Sequence, residues 1–191
     1  MPLVLASSSP YRRQLLERFN VPFAVHSPDI DETPEPDEDI AAYTRRLSLG
    51  KAQAVSKQYP AHWIIGSDLC GFCQGDFIGK PGNHNKAVEQ LRRCSGQQVD
   101  FHTGLCMLDS RTGHYQYTDE ISCVSFRQLD DQTIERYVQT DKPYHCAGSI
   151  RGEQLGIALL EKIESQDPTA LIGLPLIALA RMLRQAGLQL P

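Results

Sequence analysis

Ser7, Ser8, Ser9, Pro10, Tyr11, Arg12 and Arg13 follow directly on a short apolar run, Leu3-Val4-Leu5-Ala6. A strand that runs into a helix start offers free backbone N–H groups and the positive end of the helix dipole, and both favour an anion. Ser7 and Ser9 add hydroxyl donors, while Arg12 and Arg13 add fixed positive charge on planar forks. That set of groups suits phosphate. The same residues also read as a serine N-cap with two solvated arginines, and spacing alone leaves these two readings level. The segment is not a Walker loop, because the glycines and the Gly-Lys-Ser/Thr are absent.

Two lysines and two acidic groups extend the chemistry. Lys51 stands in Ser48-Leu49-Gly50-Lys51-Ala52, and Lys80 in Gly79-Lys80-Pro81, where its neighbours restrict the backbone. Either suits phosphate oxygens, although singly each is more simply a solvated charge. Asp68 closes an apolar run after Gly66-Ser67. A carboxylate at the C-terminal end of a strand faces the crevice where α/β proteins bind ligands. There it is able to ligate Mg²⁺ and to orient or deprotonate water. Asp31-Glu32-Thr33-Pro34 is a second acidic group, read locally as a solvated loop. The chemistry uniting these parts is phosphorus–oxygen cleavage. A triphosphate carries about four negative charges near neutral pH, so its site needs cations on several sides. Arg12, Arg13, Lys51, Lys80 and a carboxylate-held Mg²⁺ would supply them, with Asp68 acting on the attacking water.

The elements that must position these residues alternate early and pair locally later. Residues 3–6 read as a buried strand and Pro10 as the start of a helix closed by Asn20. Residues 22–26 read as a strand, 28–39 as an Asp-, Glu- and Pro-rich loop, and 40 to about 58 as a helix ended by Pro60. Trp63-Ile64-Ile65 reads as a strand ending in Gly66-Ser67-Asp68, followed by a hairpin-like region punctuated by Gly71, Gly75 and Gly79. Asn83 or Asn85 caps a helix to about Cys94, stopped by Ser95-Gly96. Residues 99–108 and 114–126 read as strands around a turn at 110–113. Asp130 or Asp131 caps a helix through Val138, residues 143–156 form a loop, 157–163 a strand, and 174–186 a terminal helix. The expectation is an α/β fold with a mixed twisted sheet and flanking helices, over residues 1–191 as one domain.

Composition narrows the field. The chain has 191 residues, 41% hydrophobic and 22% charged, with a formal net charge of −4. That excludes a disordered class and argues against a nucleic-acid partner, which usually meets a basic domain. No apolar stretch reaches the roughly 20 residues that span a bilayer, and the N-terminus lacks a signal peptide's basic region. A soluble, cytoplasmic protein without a membrane partner is expected. The six cysteines are expected as free thiols. Cys70 and Cys73 form a Cys-x-x-Cys after the strand, without the second ligand pair a zinc site needs, and two packed thiols are expected there. Gly-x-Ser-x-Gly does not occur, and the histidines form no H-x-x-x-H pair.

Several motifs in order resemble the Maf family of nucleoside triphosphate pyrophosphatases over nearly the whole chain. They are Leu5 to Arg13, Asp31-Glu32-Thr33-Pro34, Lys51-Ala52, Gly66-Ser67-Asp68, Gly79-Lys80-Pro81, Ser95-Gly96, Thr103-Gly104, Asp167-Pro168 and Leu171-Ile172-Gly173-Leu174-Pro175-Leu176. The resemblance implies two lobes around a central cleft, in an inosine-triphosphatase-like architecture. It implies hydrolysis between the α and β phosphates with a divalent cation, Mg²⁺ or Mn²⁺, and a homodimer. It gives Asp68 the role of proton acceptor, places Ser7, Ser9, Arg12, Arg13, Lys51 and Lys80 around the phosphates, and makes Glu32 and Asp68 metal ligands. Tyr144 to Ser149 looks like the subgroup acting on 7-methyl-GTP, whose specificity positions correspond to Tyr11, Leu69 and Glu153. Leu stands at 69 where that subgroup has Gln, and Leu cannot hydrogen-bond a base edge. One such contact is commonly worth about 1–3 kcal/mol. A pyrophosphatase for dTTP, UTP or another modified nucleotide, a non-catalytic nucleotide-binding regulator of division or stress, and a nucleotidyltransferase are the competing readings.

Overall fold

Leu3–Ala6 (β1), Trp63–Cys73 (β3) and Gln98–Asp109 (β5) bury apolar residues on both faces, so alternate side chains must enter two different cores. Leu3, Leu5, Ile65, Leu105 and Met107 fall on one side with Leu15 and Leu16 of α1 (Pro10–Glu17) and Leu176, Leu179, Met182 and Leu183 of α5 (Leu176–Gln185). Val4, Ala6, Ile64, Cys106 and Leu108 fall on the other with Ala52 and Val55 of α2 (Ile40–Ser56). The computed structural model describes residues 1–190. The remaining elements are β2 (Phe23–His26), β4 (Asp76–Ile78), α3 (His84–Cys94), β6 (Tyr115–Phe126), α4 (Asp131–Asp141) and β7 (Leu160–Ser165). Strand order in the seven-stranded sheet is β2-β1-β3-β5-β6-β7, with β4 on β3. β1 is parallel to β2 and β3, whereas β4 and β7 are antiparallel to their neighbours, so the sheet is mixed as expected.

The helices start where a side chain caps them. Ser9, Asp39, Asn83 and Asp130 accept from the backbone N–H of Arg12, Ala42, Lys86 and Thr133 respectively. The chain divides into two compact units. The first is Met1–Asp68, Thr103–Glu120 and Asp167–Pro191; the second is Leu69–His102 and Ile121–Gln166. The second unit packs α3 against α4 and buries Ile78, Leu91, Phe101, Val124, Ile134 and Val138. Phe101 sits against two glycines. A Cβ at Gly71 would lie 3.0 Å from its ring, and one at Gly148 would overlap it.

Two expectations shift. β3 runs on to Cys73, so Asp68 lies in the middle of the strand rather than at its C-terminal end, and Cys70 and Cys73 lie inside the strand rather than after it. Three residues apart on a strand, they face opposite sides and cannot act as a dithiol pair. Residues 155–159 form a 3₁₀ turn, and the last strand starts at Leu160 rather than at 157. Tertiary bonds decide that boundary, since Arg127 donates its backbone N–H to the Leu159 carbonyl and Nη1 to the Ala158 carbonyl. All six cysteines are free thiols, four of them buried. Burial pushes the Cys94 and Cys106 thiols up to about 12, so both stay protonated at neutral pH. Native protein treated with a thiol-disulfide reagent at pH 8 should leave these two unmodified until urea is added. Rapid labelling of either in the folded state would contradict their burial.

Among the described residues no helix is long and apolar enough to cross a membrane.

Candidate active site

The turn after β1 builds the first half of the site, within the first unit. Ser7 Oγ accepts from the Ser9 backbone N–H at 3.1 Å, and Ser9 Oγ caps α1 on the Arg12 N–H at 3.4 Å. The Pro10 start and the cap leave Arg12 on the inner face of α1, only 7% exposed. Arg12 donates Nε to the Gly173 carbonyl at 2.7 Å and Nη1 to Ser7 Oγ at 3.5 Å. Ser67 Oγ reaches the same Gly173 carbonyl at 3.0 Å and the Gly104 carbonyl at 2.7 Å.

The second half comes from α2 crossing β3 and β5 at very close range. A Cβ on Gly66 would strike the Ser48 carbonyl oxygen, and one on Gly104 would press into Ser48 Oγ and the Thr44 carbonyl. Only glycine at these two positions lets the helix backbone approach so near. One turn beyond Ser48, Lys51 therefore comes down onto Asp68, in the middle of β3. Its Nζ is 2.5 Å from Asp68 Oδ1 and 2.8 Å from Glu32 Oε1. Lys51 and Asp68 are 4% and 6% exposed, while the Glu32 side chain is half-exposed on its loop.

The electrostatics follow from burial. Loss of water pushes the Arg12 guanidinium down from its ordinary value, and the charges of Asp68 and Glu32 push it back up. Arg12 remains a cation, since guanidinium stays protonated in proteins. Two cations and two carboxylates thus cancel locally, so the bare cluster does not by itself neutralise a polyphosphate. The carboxylates converge, because both reach one nitrogen, Lys51 Nζ. Among the described residues no group of three His, Cys, Asp or Glu side chains gathers to hold a metal. Two carboxylates with water and substrate phosphate in the other positions is the ordinary donor set for Mg²⁺. The residues present fit a hard divalent cation of that kind.

Of the residues singled out in the sequence, Ser7, Ser9, Arg12, Glu32, Lys51 and Asp68 all belong to the first unit, and their contacts link them in that unit. Arg13 stays outside the cluster. It is exposed and pairs with Glu17 one turn along the helix at 3.0 Å. Tyr11 is half-buried on α1. Lys80, Leu69 and Glu153 belong to the second unit, where Lys80 is exposed, Leu69 is half-buried in β3, and Glu153 lies 3.8 Å from Arg151. Ser67 and Gly173 were not singled out as site residues, although both sit in the quoted motifs. Their signal was a serine inside an apolar strand and a glycine between apolar residues before a proline.

The comparisons agree with the motifs. A family model described as Maf-like protein matches residues 2–186. A 7-methyl-GTP pyrophosphatase from Cupriavidus pinatubonensis is 54% identical over 97% of this chain and 93% of that protein. Proteins of the same name from Burkholderia pseudomallei and Ralstonia nicotianae are 52% and 49% identical, over 97% and 96% of this chain and 87% and 94% of theirs. Among solved structures, the Staphylococcus aureus Ham1 protein matches with a TM-score of 0.48 at 14% identity, over 67% of this chain and 73% of that one. With a family match over nearly its full length, and relatives at about half identity, this chain belongs to the Maf family.

Proposed function

We propose that this chain is a nucleoside triphosphate pyrophosphatase that hydrolyses 7-methyl-GTP to 7-methyl-GMP and pyrophosphate. The observation that carries the chemistry is Lys51 Nζ lying on both Asp68 and Glu32, with buried Arg12 in their electrostatic field. The names of the relatives supply the base. In this reading Arg12, Lys51, Ser7, Ser9 and the first N–H groups of α1 take phosphate oxygens, and Arg13 adds charge from the solvent side. Water attacks the α-phosphorus, and the bond from that phosphorus to the α–β bridging oxygen breaks. Asp68 takes the proton of the water, and pyrophosphate leaves with the bonding pair. Lys51 holds Asp68 through Oδ1, and in this reading the other carboxylate oxygen takes the proton. Glu32 and Asp68 are the residues that would hold Mg²⁺ or Mn²⁺, which when bound offsets phosphate charge and polarises the scissile P–O bond.

The roles of Lys80 as a further phosphate ligand and of Tyr11, Leu69 and Glu153 as base readers rest on the motifs in which they stand. A methylated guanine is cationic, so stacking on Tyr11 gains a cation–π component. Glu153 would accept from the guanine N1–H and amino group. A cytoplasmic place of action belongs to the same reading.

The test is product analysis on 7-methyl-GTP, GTP, dTTP and UTP with Mg²⁺ or Mn²⁺. Monophosphate plus pyrophosphate, fastest from 7-methyl-GTP, is expected; diphosphate plus orthophosphate would overturn the reaction. Leu69→Gln restores a base-edge partner and should raise kcat/KM for 7-methyl-GTP over GTP by about tenfold. The two adjacent arginines should separate sharply. Arg12→Ala should lower kcat/KM by about 100-fold, and Arg13→Ala by no more than about fivefold, because one is buried and fixed and the other is solvated. Equal losses at both positions would contradict the role given to Arg12.

A further inference from the structure

Arg12 is held by a segment far away in the chain. Its Nε donates to the carbonyl of Gly173, 161 positions later, at 2.7 Å. Gly173 has φ +119°, in the region that favours glycine, and a Cβ there would lie 3.4 Å from Arg12 Nε. Its own N–H donates to the Ala170 carbonyl at 2.8 Å, which Thr103 Oγ1 also reaches at 3.0 Å.

Two side chains fold this segment. Asp167, 1% exposed, accepts through Oδ1 from the Thr169 N–H at 2.9 Å and lies 2.6 Å from Thr169 Oγ1. Its Oδ2 accepts from the Ile177 N–H, at the start of α5, at 2.6 Å. Thr169 Oγ1 accepts from the Leu176 N–H at 2.9 Å and lies 2.9 Å from the Leu174 carbonyl. The bonds close the chain on both sides of Gly173, from 167–169 to 174–177. A buried carboxylate satisfied by several donors is costly to disturb, so this shape is stiff.

We infer that Asp167 and Thr169 are positioning residues for pyrophosphate release. They fold residues 167–177 so that the Gly173 carbonyl fixes Arg12 Nε, and the terminal nitrogens of the guanidinium are thereby aimed at phosphate. Guanidinium is a rigid planar fork, so pinning one nitrogen sets the direction of the other two. The inference rests on Arg12 being a phosphate ligand, as proposed above. Neither Asp167 nor Thr169 touches the substrate in this account; both act through Arg12.

The test uses Thr169→Val, which keeps shape and removes the hydroxyl, with Thr169→Ser as the conservative rescue. Exchange of the Arg12 Nε–H with solvent, followed by ¹⁵N NMR, reads the positioning without any turnover. T169V should speed that exchange by about tenfold or more, and T169S by no more than about threefold. T169V should lower kcat/KM for 7-methyl-GTP by about 10–100-fold, and in an Arg12→Lys background it should add less than about twofold. Should T169V not fold, Asp167→Asn supplies the same readouts. Unchanged Nε–H exchange in a folded variant, or losses that multiply fully in the Arg12→Lys background, would overturn the inference. Absence of pyrophosphate release by the wild type would instead sink the functional reading, and the exchange measurement would still decide the positioning.

Discussion

Asp68→Asn is expected to cut kcat for pyrophosphate release by about 10²–10⁴-fold while leaving the protein folded. The substitution is nearly isosteric. Asparagine still offers an oxygen to Lys51 Nζ, which now sits 2.5 Å from Asp68 Oδ1, so the link between α2 and the middle of β3 survives. What disappears is the negative charge and the capacity to take a proton from water. Lys51 keeps one carboxylate partner, the half-exposed Glu32 at 2.8 Å, so the buried ammonium is not left unpaired. Stability and chemistry therefore come apart in this variant, and a melting curve beside the product assay shows which has changed. A folded D68N enzyme with wild-type turnover would remove Asp68 from the reaction and with it the mechanism given above.

Gly66→Ala should be the most damaging single-methyl change in the first unit. The added Cβ would collide with the Ser48 carbonyl oxygen and lie 3.0 Å from the Ala52 nitrogen and 3.2 Å from its Cβ. These are backbone atoms and a β-carbon in the middle of α2, so no side chain can swing aside. The helix must lift off the sheet, at a cost of about 3 kcal/mol, or roughly 10 °C in Tm for a chain of this size. Lys51, next to Ala52, would move with it, and a displacement of about 1 Å costs about 100-fold in rate even when the protein folds. Gly50 on the same helix gives the contrast. A Cβ there meets only the Ile30 side chain, at an ordinary 3.6 Å. Gly50→Ala should therefore stabilise by about 0.5–1 kcal/mol, because alanine loses less entropy in a helix. Thermal melts of both variants check the pair, and the same sign of change in both would contradict the close helix–sheet approach.

Local physical chemistry is written in the sequence. Short polar residues ahead of apolar periodicity mark a serine cap before Pro10 and narrow two further helix starts to Asn83 or Asn85 and Asp130 or Asp131, since each can take a backbone N–H that a helix start leaves unbonded; Ser9, Asn83 and Asp130 do so in the structure, and Asp39 caps α2 as well. A run of apolar residues marks β1, because a strand covered on both faces has no polar side, and β-branched and aromatic residues mark β5 and β6. The helix start after Ala6 and the carboxylate that follows an apolar run at Asp68 are equally local features of the sequence.

What the sequence could not distinguish is which of two similar residues enters the site. Arg12 and Arg13 are neighbours of identical chemistry, yet successive residues on a helix point roughly 100° apart, and the packing of α1 decides that Arg12 faces inward. The Cys-x-x-Cys at Cys70 and Cys73 is expected after the strand as two packed thiols, yet β3 extends through it and sends the two thiols to opposite faces. Lys51 meets Asp68 only because Gly66 and Gly104 admit α2, and Arg12 meets Gly173 across 161 positions. Residue types, caps and strand periodicity were thus determined by the sequence, because they depend on neighbours along the chain. The pairing of charges was decided by the tertiary structure alone, because it depends on how closely separate elements pack, and one methyl group at a glycine is enough to change it.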